Sequence, residues 1–176
     1  MSIVGFKSVN HPQQVKVRGA DDGVDERITP ADLYDAYNDR YRFTLDVAAN
    51  DRNKKTERFY DLASNGLQQP WAPERVWCNP PYSNPAAWLY KAHQEFEAGC
   101  EAIVMLLPAN RTEQKWWQRF VEPFRDKGSF MRTEFIARRR NFGVPGNEGA
   151  IYPSGVPFGL VALILERSDN GQSPGE

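Results

Sequence analysis

The run AIVMLL at residues 102–107 is the strongest indication of the fold of this chain. An unbroken apolar run fits a strand that is covered on both faces, which is typical of a parallel sheet. Upstream, residues 75–78 (RVWC) predict a second strand, and a helix is predicted to begin at Asn84-Pro85 and end at Gly99. The apolar residues of that helix recur at helical spacing: Trp88, Leu89, Ala92 and Phe96. The region therefore predicts a strand–helix–strand unit.

Further predicted elements extend this alternation in both directions. They are a helix opened by Thr29 as cap with Pro30 at its first position, a strand at 42–47, a helix capped by Thr112 with Trp116 and Trp117 in the core, a loop at 141–157, and strands at 130–136 and 160–165. The pattern predicts an α/β fold with a mostly parallel sheet. In such sheets ligands bind beyond the carboxyl ends of the strands.

Length and charge indicate one domain with no global basic excess. The chain has 176 residues, of which 22 are basic and 23 acidic, so any nucleic-acid-binding surface must be local. We expect a flexible N-terminal arm over residues 1–25, one domain over 26–167 and a disordered tail over 168–176. The cysteines and histidines lack zinc-site spacing, and neither a membrane-spanning run nor a secretory signal is evident. We therefore expect no metal, no membrane and a cytoplasmic location.

The motif Asn79-Pro80-Pro81-Tyr82 directly follows the predicted strand at 75–78. A planar amine such as N6 of adenine is a poor nucleophile because its lone pair is delocalised into the ring. The Asn79 side-chain oxygen and the Pro80 carbonyl can accept its two N–H hydrogens, and Pro80-Pro81 stiffens the corner. Such acceptors bind the amine more strongly as it gains positive charge. Tyr82 offers a ring on which a flipped-out base can stack.

A second candidate site lies at residues 45–50 (LDVAAN). Asp46 could accept hydrogen bonds from the ammonium group of a methionine moiety, and the small residues after it, Ala48 included, would let the backbone up to Asn50 approach a ligand. A strand-end aspartate that caps a turn explains the same residues, and the usual glycine-rich turn is absent. Likewise, an ordinary loop is the alternative for the tetrapeptide. Both alternatives stay open on these residues alone.

Taken in order, the motifs resemble those of the phage-type DNA N-6-adenine methyltransferases, a small Dam-like family. The resemblance covers roughly residues 28–166 and is carried by Thr29-Pro30, LDVAAN, Asn65-Gly66-Leu67 with Trp71, VWCNPPYS at 76–83, Trp88, Lys91-Ala92, and LLPA at 106–109 with Thr112 and Trp116. It implies a class I, Rossmann-like methyltransferase fold. It also implies S-adenosylmethionine as cofactor and double-stranded DNA as partner, inside a bacterial host cell.

The resemblance also implies roles for individual residues. It places Asn79, Pro80 and Tyr82 at the amine and Asp46 at the methionine end of the cofactor, with Thr29-Pro30 close by. We assign Asn65 to the adenosine end as a suggestion of our own. Asp46 and Asn79 are too close in sequence for two βαβ units, each of which needs about thirty residues. The sheet must therefore be trimmed between strands 1 and 4 of the class I order.

The trimming leaves the acid for the cofactor ribose undetermined between Glu57 and Asp61, and we favour Asp61. DNA must be held by loops and termini, because no separate recognition domain is evident. The predicted phosphate-binding residues are Arg132 and Arg138-Arg139-Arg140, beside the loop at 141–157. A second basic cluster comprises Lys54, Lys55 and Arg58, although ordinary surface charge explains any single one of these side chains.

Four other functions remain open from the sequence. Amines of RNA bases and the side-chain amide of protein glutamine pose the same chemical problem as adenine N6, and N4 of cytosine is a further planar amine. A non-catalytic DNA-binding module could also keep the fold. Identification of the labelled acceptor separates the first group, and donor binding separates the last. The oligomeric state and the DNA recognition sequence are not indicated.

Overall fold

A computed structural model of the chain describes residues 28–127, 130–144, 147–151 and 158–167. The helices are α1 (Ala31–Tyr41), α2 (Pro85–Ala98) and α3 (Lys115–Phe120), and the strands are β1 (Leu45–Asp46), β2 (Arg75–Cys78), β3 (Ala102–Pro108), β4 (Met131–Phe135), β5 (Gly143–Val144), β6 (Asn147–Ile151) and β7 (Leu160–Glu166). Five strands form the main sheet in the order β1-β2-β3-β7-β4, and β5 pairs with β6. The predicted arm at 1–25 and tail at 168–176 lie outside the described residues.

The main sheet is mostly parallel, as predicted. β1, β2 and β3 run parallel to one another, whereas β7 is antiparallel to both of its neighbours, β3 and β4. β4 therefore points the same way as β3. Between β1 and β2 the chain adds no further strand to the sheet and contributes one isolated parallel bridge, between Asp46 and Phe59. This direct pairing of β1 with β2 fits the expected trimming.

Two apolar layers cover the faces of this sheet. All of β3 is buried, and its alternate residues belong to different clusters: Ile103, Met105 and Leu107 to one, Val104 and Leu106 to the other. Because alternate residues of a strand point to opposite faces, the two clusters lie on opposite sides of the sheet. α2 and α3 cover the first face, together with the fully buried Trp71 and Trp117, and α1 covers the second. The predicted core position of Trp116 and Trp117 is confirmed.

Several predicted elements are confirmed with small changes. β2 matches its prediction, β3 extends it by Pro108, and α2 begins after Asn84 and ends at Gly99, whose φ is 121°. The strand predicted at 42–47 is regular only over β1. Its flanks still bond to β2, since the Thr44 N–H donates to the Arg75 carbonyl at 2.8 Å and the Val47 N–H to the Trp77 carbonyl at 3.1 Å.

Both predicted threonine caps are wrong. Pro30 occupies the N-cap of α1 and Gln114 that of α3, and neither helix has a side-chain cap hydrogen bond. The Thr29 hydroxyl is bonded to Asn79 instead. Thr112 lies before the start of α3, and its carbonyl accepts a hydrogen bond from Gln118 at 2.7 Å.

The loop predicted at 141–157 contains an antiparallel strand pair, so the prediction of no secondary structure is wrong there. β5 pairs with β6 across Pro145-Gly146, which lies outside the described residues. Gly143 also forms an antiparallel bridge with Ile28, and both N–H groups donate, at 2.9 and 3.2 Å. Composition suggested turns here, but backbone pairing needs no particular side chain. Within the described ranges no helix is long and apolar enough to cross a bilayer, and no three metal-binding side chains gather.

Candidate functional site

The carboxyl edge of the sheet brings the two predicted sites together. β1 and β2 are parallel neighbours, and Asp46 is in register with Trp77, two residues before Asn79. Neighbouring strands lie about 4.8 Å apart and rise about 3.3 Å per residue, so the Cα atoms of Asp46 and Asn79 are about 8 Å apart. The carboxylate and the amide therefore border the same space beyond the strand ends.

The Asn79 amide is hydrogen-bonded at both of its ends. Its Nδ2 donates to Thr29 Oγ1 at 3.2 Å, and its Oδ1 accepts from the Tyr82 hydroxyl at 3.1 Å. Pro80 is buried, and Pro81 is half-buried. The amide oxygen thus faces the tyrosine side of the corner, and the amide nitrogen faces the helix α1 side.

The Tyr82 ring packs against Phe158, a residue distant in sequence. It meets Phe158 edge-to-face, with ring centroids 5.8 Å apart and planes at 66°. Both rings pack against the α1 side of the core, and both are half-buried. An aromatic pair of this geometry stabilises its arrangement by about 0.5–1.5 kcal/mol beyond the burial of its surface. Tyr82 therefore has a preferred position at this edge.

Asp46 carries a buried carboxylate at the end of β1. The residue is 2% exposed, and its side chain accepts hydrogen bonds from the backbone N–H groups of Ala48 at 3.3 Å and Lys55 at 3.1 Å. Burial raises the pKa of Asp46 to about 6, against the opposing effect of these two bonds. None of the ion pairs formed among the described residues includes Asp46. Such an acid suits a ligand that brings its own cation.

Lys55 is half-buried, and its ammonium group points toward Thr29. Its Nζ donates to the Thr29 carbonyl at 2.8 Å and lies 5.6 Å from the centre of the Tyr34 ring. Burial lowers the pKa of Lys55. Because its backbone N–H also bonds to Asp46, Lys55 links the carboxylate to the segment that holds the Asn79 amide.

Two backbone segments lie close together beside Asp46 and form the floor of the candidate site: the one that follows β1, and the one that contains Tyr60 and Gly66. The Ala49 N–H donates to the Tyr60 carbonyl at 3.0 Å, and a Cβ on Gly66 would lie 2.1 Å from the Val47 carbonyl oxygen. Asn50 has a local role, since its Oδ1 accepts from the backbone N–H of Arg52 at 2.9 Å. Ala48 is half-buried beside Asp46, and its contact with a ligand stays a prediction.

Asp61 follows the isolated bridge between Asp46 and Phe59 along the chain, and Glu57 precedes it. The Tyr60 N–H donates to the Asp46 carbonyl at 2.8 Å, and Asp61 is the next residue along the parallel direction. The Asp61 carboxylate accepts from the Ser64 N–H and hydroxyl at 2.8 and 2.7 Å, and these bonds lower its pKa. Asn65 follows in the left-handed conformation, with φ 54°, and donates its N–H to the Asp61 carbonyl at 2.9 Å.

The predicted phosphate-binding arginines differ in their surroundings. Arg132 donates to the Tyr41 hydroxyl at 2.6 Å and pairs with Glu166 at 3.0 Å, and Arg140 pairs with Asp32. Arg138 and Arg139 are exposed. In the second predicted cluster, Lys54 pairs with Asp51 at 3.1 Å, Arg58 pairs with Glu74, and Lys55 faces inward.

Two contacts of the site had no signal in the sequence. Phe158 follows the Gly/Pro-rich stretch and belongs to no motif, and the inward direction of Lys55 depends on contacts distant in sequence. The contact of Thr29 with Asn79 joins two recognised motifs, but nothing in their spacing predicts it.

The sheet and the corner define an α/β protein whose carboxyl edge places an amide–diproline–tyrosine corner beside a buried acid. The chain belongs to the DNA N-6-adenine-methyltransferase (Dam) family, whose model matches residues 18–151. The resemblance seen in the sequence is thereby confirmed.

Two phage relatives, both named DNA N-6-adenine-methyltransferase, are similar to the chain. The one from Escherichia phage T1 is 35% identical over 109 residues, which are 61% of this chain and 42% of that protein. The one from Haemophilus phage HP1 (strain HP1c1) is 32% identical over 80 residues, which are 46% of this chain and 46% of that protein. The matched stretch therefore spans less than half the length of either relative.

Proposed function

We propose that this protein transfers a methyl group from S-adenosylmethionine to N6 of adenine in double-stranded DNA, after the base is flipped out of the helix. The observation that carries the proposal is the Asn79 amide, whose oxygen faces Tyr82 at the same sheet edge as the buried Asp46 carboxylate. Family membership and the names of both phage relatives support adenine and DNA over the other planar amines.

The surroundings of Asp46 fit the cofactor. A buried carboxylate that accepts only backbone hydrogen bonds within the described part of the chain suits the ammonium group of the methionine moiety. When bound, S-adenosylmethionine supplies an electrophilic methyl group. Asp46 would bind its ammonium, with the Thr29-Pro30 backbone beside it and the Ala48 to Asn50 backbone as floor.

The adenosine end of the cofactor is assigned to the segment after the isolated bridge. Asp61 would accept from the ribose hydroxyls and Asn65 would contact the adenosine, since both lie on the ligand side of Asp46. A sheet of order β1-β2-β3-β7-β4 in which β7 alone is antiparallel supports a class I fold that lacks the two strands beyond β1. The same reasoning disfavours Glu57, which precedes the bridge.

The chain's own contribution to the reaction is to hold and orient the amine. Asn79 Oδ1 and the Pro80 carbonyl accept its two N–H hydrogens, so that the nitrogen lone pair points at the donor, and Pro81 keeps the corner stiff. Each bond strengthens as positive charge develops on the amine. Two bonds to a charged group are worth about 3–6 kcal/mol, or about two to four powers of ten in rate.

The base and the DNA strand are bound by different residues. Stacking on the Tyr82 ring is worth about 1–3 kcal/mol and offsets part of the cost of flipping the base. Arg138 and Arg139, which are exposed, are the main phosphate-binding residues, and Arg132 and Arg140 contribute less because carboxylates already pair with them. The substrate would be DNA inside a bacterial host cell.

Removal of the Asn79 amide tests the proposal. We expect Asn79→Ala to keep S-adenosylmethionine binding in calorimetry and to lose about one to two powers of ten in the rate of methyl transfer to DNA, because the Pro80 carbonyl still accepts one of the two N–H hydrogens. Asn84→Ala is the matched control, because Asn84 is exposed and makes no side-chain cap bond to α2.

Labelled donor offered to DNA, RNA and protein, followed by identification of the modified base or side chain, reports the acceptor. Near wild-type DNA methylation by Asn79→Ala would contradict the proposal, and label in RNA, glutamine or cytosine would reassign the substrate.

A further inference from the structure

Thr29 has a buried hydroxyl that its own helix does not use. The residue is 3% exposed and stands just before α1, which has no side-chain cap bond. Its Oγ1 instead accepts from Asn79 Nδ2, fifty positions away in sequence. A buried polar side chain with a distant partner that lies in the site has a different task from capping.

The backbone around Thr29 is fixed on every side. Ile28 exchanges two hydrogen bonds with Gly143, the Thr29 carbonyl accepts from Lys55, and the Pro30 carbonyl accepts from the Tyr34 N–H at 3.1 Å. The hydroxyl therefore has a defined position. It anchors the nitrogen end of the Asn79 amide and with it the plane of the amide group.

The other end of the same amide meets a different kind of partner. The Tyr82 hydroxyl donates to Asn79 Oδ1 at 3.1 Å, in the place where an N–H of the target amine would donate. Tyr82 lies in the turn between β2 and α2 and is half-buried. The Tyr82 hydroxyl and the target amine therefore compete for one acceptor atom.

We propose that Thr29 is a positioning residue that holds the Asn79 amide by its nitrogen end, and that the Tyr82 hydroxyl occupies the oxygen end only until the target amine replaces it. The inference deepens the proposed function and rests on it. The Thr29 and Tyr82 hydroxyl groups contact the same amide, and removal of each has the opposite effect on the reaction. Loss of the first lets the amide turn away from the amine, whereas loss of the second removes a competitor of the amine.

Kinetics of single-hydroxyl variants test this pair of roles. We expect Thr29→Val to lower kcat for DNA methylation about fivefold to tenfold, with KM for DNA and donor affinity within about twofold, and Thr29→Ser to restore kcat. Tyr82→Phe, which keeps the ring and removes only the hydroxyl, should lower KM for DNA about twofold to fivefold. If the Thr29 and Tyr82 hydroxyl groups only stabilised the fold, Thr29→Val and Tyr82→Phe would both lower activity in the same way.

Lys55→Met provides a second route if Thr29→Val does not fold. It removes the bond to the Thr29 carbonyl, and we expect a smaller fall in kcat of the same kind. Lys127→Met, the matched control, removes a lysine bond to the Glu122 carbonyl before the start of β4 and should leave kcat unchanged. Unchanged kcat in Thr29→Val, donor affinity that falls together with kcat, or a KM for DNA that does not fall in Tyr82→Phe would overturn the inference.

A measurement without turnover separates this inference from the proposed function. In isotope-labelled protein, we expect the Asn79 side-chain N–H protons to exchange slowly with solvent in the wild type and in Tyr82→Phe, and quickly in Thr29→Val. If wild-type protein methylates no DNA but shows this exchange pattern, the proposed function fails and the anchoring role stands. Fast exchange in the wild type would refute the anchoring role whatever the activity.

Discussion

Asp46 is an acid whose surroundings oppose its charge. Its carboxylate is 2% exposed and bonds to two backbone N–H groups, and burial raises its pKa to about 6. Since this value exceeds the ordinary 3.8, Asp46 contributes stability that is fully present below about pH 4 and lost as the pH rises through about 6. A bound ammonium reverses the preference because it stabilises the charged form.

Donor affinity should therefore depend on pH through Asp46. We expect the Kd of S-adenosylmethionine to rise about tenfold between pH 7 and pH 5, measured by calorimetry, because the carboxyl group must lose its proton to bind the ammonium. Adenosine, which has no ammonium group, should show no such dependence. The same pH dependence in Asp46→Asn would rule out this role for the carboxylate.

At the scale of elements, some boundaries could be predicted and others could not. β3 is an unbroken apolar run, and α2 has apolar residues at helical spacing between Pro85 and Gly99, so local sequence determined both elements. The short strand β2 was likewise predicted from its own residues. The cap predicted at Thr29 failed because the rule considers only neighbours in sequence, whereas the hydroxyl finds Asn79 across the fold. The β5–β6 pair was missed because main-chain pairing leaves little trace in side-chain composition.

The candidate site was predictable to a similar extent. The order of strands placed Asp46 and Asn79 at one edge, which the register of β1 and β2 bears out. The contacts of Lys55 and Phe158 depend on how the chain returns to that edge, and no local pattern encodes them. Sequence thus indicated which groups the site contains, and tertiary packing determined how they are held.

The segment between β1 and β2 depends on one close backbone approach. A Cβ on Gly66 would lie 2.1 Å from the Val47 carbonyl oxygen, a backbone atom that cannot move aside cheaply. We expect Gly66→Ala to lower the free energy of unfolding by about 1–3 kcal/mol and to weaken donor binding, measured by denaturation and calorimetry. Gly159→Ala, whose added Cβ would lie 3.8 Å from Ala109, is the control and should change stability by less than about 0.5 kcal/mol. Equal stability of the two variants would argue against a tight floor.

At the scale of the whole molecule, positive and negative charges are balanced, and part of them form ion pairs. The net charge is −1, and many arginines of the described ranges have carboxylate partners, such as Arg40 with Glu134 and Arg75 with Glu101. Long-range attraction to a polyanion is therefore weak, and binding must rest on a few exposed cations. Among the predicted phosphate-binding residues, Arg138 and Arg139 fit that description.

The salt dependence of DNA binding should locate those cations. The logarithm of the DNA association constant falls linearly with the logarithm of the salt concentration, and each phosphate contact adds about 0.9 to the steepness of that slope. We expect replacement of both Arg138 and Arg139 by glutamine to reduce that slope by about two, measured by titration of a duplex at several salt concentrations. Arg132→Gln should change the slope by less than about 0.9 and lower thermal stability, because it loses its contacts with Glu166 and Tyr41. The reverse pattern would reassign the DNA-binding surface to the β4 side.

The bridge between Ile28 and Gly143 joins parts of the molecule that are far apart in sequence. Gly143 begins the β5–β6 hairpin, and Ile28 stands one residue before the hydroxyl that contacts Asn79. A displacement of the β5–β6 pair is consequently transmitted to the Thr29 hydroxyl through the two hydrogen bonds between Gly143 and Ile28 and one peptide unit. The β5–β6 pair and the Asn79 amide are therefore mechanically coupled through Thr29.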